Sequence, residues 1–130
     1  VASVFRLPVA AKSCDILLNV FAPFAGEEYV RVLRPGGVLL HAAPDAMHLW
    51  ELKEAVYETP YRNDAAPPVQ AGLSLVEEER ISAVRHEDIA SLFQMTPYAH
   101  KTGPADAARL DALDTLDVTA AFVLRAYRRD

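Results

Sequence analysis

Three short segments of this chain hold the residues whose types suit a ligand site: Ala2-Ser3, Phe21-Ala22-Pro23, and Ala43-Pro44 through His48. Each closes an apolar run that reads as a strand, and in an open α/β sheet ligands bind outside the carboxyl ends of the strands. His48 follows one such end at the start of an expected helix, where the dipole disfavours a cation and favours a neutral imidazole. A neutral ring can accept or donate one hydrogen bond to a ligand; the alternative is an ordinary histidine on a helix surface. Asn19 precedes Phe21 by two residues and so shares its face in a strand. It is either a buried polar group that needs partners or a residue of the site. Phe21-Ala22-Pro23 is equally a strand terminator, and Ser3 equally a solvated turn serine. No side chain stands out as a general base. The single Cys14 excludes an internal disulfide and cannot build a zinc site, so no metal centre is expected.

The elements that must position these residues alternate along the chain. Val1 to Phe5 reads as a short strand and Asp15 to Phe21 as a second, buried one. A short amphipathic helix fits Glu27 to Leu33, with Val30 and Leu33 on one side. Pro35 cannot continue that helix and biases Arg34 to extended backbone. Gly36 and Gly37 can take positive φ in the turn that follows. Val38 to Ala43 is then apolar without alternation, as a strand buried on both faces of a parallel sheet should be. Asp45 is placed to cap a helix from Ala46 to Tyr57, whose Leu49, Leu52 and Val56 recur at helical spacing. Thr59 to Gly72 is a proline-rich loop. Leu73 to Val84 suits a long, partly exposed strand, Glu87 to Met95 and Ala105 to Leu113 suit helices, and Asp117 to Arg128 a final strand. The order points to an α/β sheet whose last two strands form an antiparallel edge pair.

With 130 residues, 52% hydrophobic and 24% charged, the chain has the bulk of one globular domain. No apolar run is long enough for a membrane helix, and the first residues lack the pattern of a signal peptide. The chain opens without methionine, in what reads as the middle of a strand, and is expected to be truncated at its start. One cysteine fits a reducing cytoplasm. A net charge of −5 does not suit binding to nucleic acid by charge alone.

Leu33-Arg34-Pro35-Gly36-Gly37-Val38-Leu39-Leu40 resembles the approach to the fifth strand of the class I S-adenosylmethionine methyltransferases. A longer series narrows this: Ala2-Ser3, Arg6-Leu7-Pro8, Asp15 through Pro23, Arg34 to Gly37, Pro44, His48-Leu49 with Glu51-Leu52-Lys53, and Gln94-Met95-Thr96-Pro97-Tyr98. In that order the chain resembles the C-terminal half of the bacterial 23S rRNA (guanine-N1) methyltransferases, a group that includes macrolide-resistance enzymes. The resemblance covers essentially the whole chain. It implies the C-terminal part of a Rossmann-like methyltransferase domain, carrying the fourth to seventh strands of that fold. It implies S-adenosylmethionine as cofactor, touched by His48, Ser3, Phe21 and Pro23, and an RNA hairpin as substrate, with Asn19, Thr96, Pro97 and Tyr98 near the guanine. Read without the family, Thr96-Pro97-Tyr98 is a helix stop. The family's N-terminal zinc module, its glycine-rich cofactor loop and the acidic residue on the ribose have no counterpart in these residues. The 130-residue chain is therefore expected neither to bind the cofactor tightly nor to methylate RNA. With Asp15 to Phe21 as a raw apolar edge, it is also expected to be marginal, aggregation-prone or paired with a second copy. Two other readings stay open: a small-molecule methyltransferase and a non-enzymatic interaction domain.

Overall fold

The structure is a computed structural model, and it describes residues 2–100, 103–105 and 116–130. Its elements are β1 (Cys14–Val20), α1 (Gly26–Val32), β2 (Leu33–Pro44), α2 (Trp50–Val56), β3 (Leu73–Arg85), α3 (Ile89–Gln94), a short 3-10 turn (Pro97–His100) and β4 (Val118–Arg129). The four strands form one sheet in the order β1-β2-β4-β3, with β1 parallel to β2 and β4 antiparallel to β2. Asp130 meets Gly72 and Ser74 while Arg125 meets Glu78, so β3 and β4 run in opposite senses, as the expected edge pair does. The chain divides into two compact units, Val1–Pro44 with Ala65–Ile81 and Phe122–Asp130, and Asp45–Asp64 with Ser82–Ala121.

In the first unit, α1 ends at Val32 and β2 begins at Leu33 without a loop. Leu33 is already extended (φ −71°, ψ 142°), so the helix stops three residues ahead of Pro35 and the Pro-Gly-Gly segment lies inside the strand instead of forming a separate turn. The cost falls on the register. From Cys14↔Leu33 to Ile16↔Val38, β1 advances two positions while β2 bulges outward to advance five. Gly36 carries the bulge at φ +80°. At Gly37 a Cβ would stand 2.9 Å from the Arg34 carbonyl oxygen and 3.1 Å from that of Asp15, both backbone atoms that cannot swing aside. Beneath this join, Tyr29, Leu33, Leu39 and Tyr127 are buried together, and Phe24 lies edge-on to Tyr29 and His41 at ring distances of 5.3 and 5.4 Å. β1 is an edge strand, and Ile16, Leu18 and Val20 are exposed on one of its faces while Asn19 is buried on the other.

The expected strand at Val1 to Phe5 is corrected. Val1 lies outside the described residues, and Ser3 and Arg6 bridge each other across a tight turn. Among the described residues no strand pairs with this segment, and the chain just beyond it is pinned by side chains. The Glu28 carboxylate accepts from the Leu7 amide at 2.7 Å and from the Arg31 guanidinium at 2.6 and 2.9 Å. Arg31 also donates to the Leu7 and Val9 carbonyls. The Arg31 hydrogen bonds, then that from Leu7, hold the Glu28 carboxyl at about 2.

In the second unit, Leu49, Leu52, Val56, Ile89, Phe93 and Val118 form the core. The expected helix from Ala46, capped by Asp45, is also corrected: α2 starts at Trp50 because Leu49 is held at φ +54°, outside the helical region. Asp45 Oδ1 accepts from the neighbouring Ala46 amide at 2.8 Å, and the Asp45 carbonyl accepts from the His48 amide at 3.1 Å, closing a turn ahead of the helix, whose cap position is Leu49. The expected helix over Ala105 to Leu113 falls outside the described residues beyond its first position.

Two outcomes follow from these joins. Gly37→Ala should destabilise the chain by about 1–3 kcal/mol, read from its denaturant midpoint, because the new methyl meets backbone oxygen. Glu28 is depressed in the folded state, so its contribution is complete above the ordinary carboxylate range and lost as pH falls towards 2. Unfolding followed from pH 6 to pH 2 should therefore lose less stability in Glu28→Gln than in the unmodified chain.

Candidate active site

Asn19, Phe21 and Pro23 share one turn at the carboxyl end of β1. The Asn19 amide donates to the Tyr29 hydroxyl at 2.6 Å and to the Pro23 carbonyl at 3.2 Å, and its oxygen accepts from the Ala22 amide at 3.2 Å. The Tyr29 hydroxyl donates to the same Pro23 carbonyl at 3.0 Å. Asn19 thus works as a buried polar group that fixes the turn. Phe21 is bent to φ +51°, a backbone state that costs a bulky residue energy unless its surroundings enforce it. Its amide donates to the Ala42 carbonyl at 3.0 Å. The ring meets Phe122 edge-on at 5.5 Å and remains 53% exposed. Pro23 is exposed beside it. The result is an aromatic face held out on a rigid turn. Ser3 lies in its own turn, where its hydroxyl oxygen accepts from the Phe5 amide at 3.3 Å.

His48 belongs to the second unit, with Thr96, Pro97 and Tyr98. His48 Nδ1 accepts from the Ala121 amide at 3.0 Å, which fixes the proton on Nε2. Burial first, and the nearby Lys53 charge second, push its pKa down, so the ring is neutral as expected. The reason differs from the expected one, since His48 precedes the helix and no dipole is needed. Glu51 accepts from the Thr119 amide at 2.9 Å and from its hydroxyl at 2.6 Å. Burial opposes the Glu51 charge, but the Thr119 bonds outweigh it and hold the carboxyl below its usual range. The Leu49 amide donates to the Thr119 carbonyl at 2.7 Å. The His48-Leu49-x-Glu51 motif is therefore a clamp on the backbone at 119–121.

Lys53, at the end of the same motif, is 1% exposed. Its ammonium donates to the Tyr61 carbonyl at 3.1 Å and to Asn63 Oδ1 at 2.9 Å. It also stands 4.4 Å from the centre of the Tyr61 ring and 5.3 Å from that of Tyr98. Tyr57 closes on Tyr98 edge-on at 5.9 Å. Burial, then Tyr61 and Tyr57, raise the Tyr98 pKa, so its phenol stays protonated. This cluster escaped the sequence reading, although its signal was present: with Leu49, Leu52 and Val56 inward, position 53 completes the i, i+3, i+4, i+7 stripe. A lysine there must bury its stem and find partners for its charge. The Thr96 hydroxyl donates to the Phe93 carbonyl at 2.7 Å, ending α3, and Pro97 opens the following turn, exposed.

No family model matches the chain. A Micromonospora griseorubida protein named as a 23S rRNA (guanine-N(1)-)-methyltransferase is 40% identical over 134 residues, 95% of this chain and 45% of its own length. The chain is homologous to the C-terminal portion of these methyltransferases. The 23S rRNA (guanine(748)-N(1))-methyltransferase of Streptomyces fradiae is 31% identical over 79% of this chain and 39% of its own length. A Bacillus subtilis relative, YxjB, named for the same guanine-N1 activity, is 29% identical over 92% of this chain and 45% of its own length. The chain thus spans less than half the length of these methyltransferases. A crystal structure of a Bacillus halodurans protein described as a methyltransferase superposes with a TM-score of 0.61, over 98% of this chain and 75% of its own, at 12% identity. That likeness shows the fold alone, a mixed α/β architecture. Among the described residues no group of three or more His, Cys, Asp or Glu could hold a metal ion, and no helix is long and apolar enough to cross a membrane.

His48 supplies a pH dependence. Its folded pKa is lowered, so the unfolded chain binds the proton first and stability falls as pH drops below the ordinary histidine range. Protonation also puts an N–H where the Ala121 amide needs an acceptor. The melting temperature should fall between pH 7 and pH 5, and less steeply in His48→Gln; His41, lowered by burial and by Arg125, supplies a further part of the slope.

Proposed function

We propose that this chain is the C-terminal part of an enzyme that transfers a methyl group from S-adenosylmethionine to guanine N1 of 23S rRNA. The observation that carries this is the 40% identity, over 95% of the chain, to a relative so named. The turn at 19–23 fits the cofactor: it lies at the carboxyl end of a parallel strand, and hydrogen bonds hold an aromatic face outward there. Phe21 and Pro23 would line the cofactor's methyl end, with Ser3 as a further contact from the same unit. His48, in the second unit, is proposed as a cofactor contact on the strength of the sequence resemblance. The cofactor's sulfonium makes its methyl group electrophilic, so the protein's task is alignment, which in favourable cases supplies roughly 7–11 kcal/mol. No residue from Asn19 to Pro23 titrates near neutral pH, so this turn orients and takes no proton. Thr96, Pro97 and Tyr98 are proposed to flank the guanine, which must be presented unpaired to expose N1. Such a substrate belongs to the cytoplasm.

An N1-methyl group blocks the Watson–Crick edge of guanine and stops reverse transcription. The protein encoded by the full reading frame that contains this chain should, with S-adenosylmethionine, place such a stop at one guanine of a 23S rRNA hairpin. Labelling of small phenols or amines with no stop in RNA would overturn the proposal. The 130 residues alone, which hold no glycine-rich loop, should give no calorimetric signal with micromolar S-adenosylmethionine. Micromolar binding would refute that part.

A further inference from the structure

We propose that Tyr61, with the Lys53 ammonium behind it and the Arg62–Trp50 pair beside it in sequence, is a stacking platform for an unpaired nucleobase of the RNA. The proposal rests on RNA being the substrate. α2 and the loop after it exchange cations and rings. Lys53 of the helix stands 4.4 Å from the centre of the Tyr61 ring, and Arg62 of the loop stands 5.6 Å from the centre of the Trp50 ring of the helix. Trp50 and Lys53 are three residues apart and so lie on neighbouring positions of one helix face. Tyr61 is 60% exposed although its backbone carbonyl is tied to the buried Lys53. Its backbone is therefore tied down beside Lys53 while much of the residue stays in water.

That combination suits a purine. An ammonium over one face of a phenol ring draws electron density towards itself and leaves the opposite face better disposed to an electron-rich base. Unpaired RNA bases are recognised by stacking on aromatic rings and on guanidinium planes, and both stand here on consecutive residues, Tyr61 and Arg62. The Lys53 and Arg62 charges place cations at this spot although the chain as a whole is acidic. A solvated loop tyrosine that merely covers Lys53 would show the same ring distance but would have no preference among RNA forms.

The test uses the full-length protein and two fluorescein-labelled RNAs, a hairpin with unpaired guanines in its loop and a perfectly paired duplex of equal length, titrated by anisotropy. Tyr61→Ala should weaken hairpin binding about tenfold, within the range for loss of one stacked base, and leave duplex binding unchanged. Tyr61→Phe and Tyr61→Trp keep a ring and should bind the hairpin within twofold of the unmodified protein. The Lys53 hydrogen bond goes to the backbone carbonyl, so Tyr61→Ala preserves it, and an unchanged melting temperature checks the fold. Equal hairpin affinity in Tyr61→Ala, or equal loss on hairpin and duplex, overturns the platform. The assay needs no methyl transfer, so failure of the enzymatic reading would appear separately, in the reverse-transcription experiment.

Discussion

The first unit depends on one crowded backbone join. Where α1 meets β2, carbonyl oxygens of Arg34 and Asp15 close over Gly37 and leave no space for a β-carbon. A helix that runs directly into a parallel strand must absorb the change of direction within the strand, and here the bulge at Gly36 does so. Past the bulge the register is regular from Ile16↔Val38 to Val20↔Ala42. That register brings the Ala42 carbonyl to the Phe21 amide and so fixes where the β1 turn begins. The Asn19–Tyr29 hydrogen bond then ties the same turn back to α1. Strand, helix and turn are thus set by one tight contact that only glycine permits.

The second unit is organised by polar side chains instead. His48 and Glu51 satisfy backbone amides at Ala121 and Thr119, and Lys53 satisfies the Tyr61 carbonyl and Asn63. Each is a buried or half-buried group whose partner would otherwise lack a hydrogen bond, and unmade bonds of that kind cost more than made ones return. The His48-to-Lys53 motif is therefore a set of fasteners around an apolar stripe of Leu49, Leu52 and Val56. A role for His48 towards the cofactor would use the ring while its Nδ1 holds Ala121.

The strands and α1 were legible because their signals are local. The apolar run from Val38 to Ala43 falls inside β2, although β2 begins earlier, at Leu33, and takes in the proline and paired glycines that read as a turn. Asp117 to Arg128 lies within one residue of β4. What misled was each case where tertiary bonding overrode a local preference. Asp45 looks like a helix cap, yet the Leu49 amide is drawn to Thr119, far along the chain, and its backbone leaves the helical region. Val1 to Phe5 has the composition of a strand, but among the described residues Ser3 bridges only to Arg6 within its own turn. Of the candidate site, the Phe21 turn was readable from strand-end logic, and Asn19 from its polarity in an apolar run. The partners of Lys53 were not, since Tyr61, Asn63 and Tyr98 come from a loop and a turn that no periodicity connects to α2.

The Arg62–Trp50 contact has a spectroscopic consequence. Trp50 is the sole tryptophan of these 130 residues, and the only cation placed over its ring among the described residues comes from the loop that follows α2. Indole emission responds to the charge and water around the ring. In this chain the whole tryptophan signal therefore originates at one helix-to-loop junction. Any change of that loop, through ligand, temperature or denaturant, would register as a shift of a single emission band, separately from the tyrosine circular dichroism of the rest of the chain.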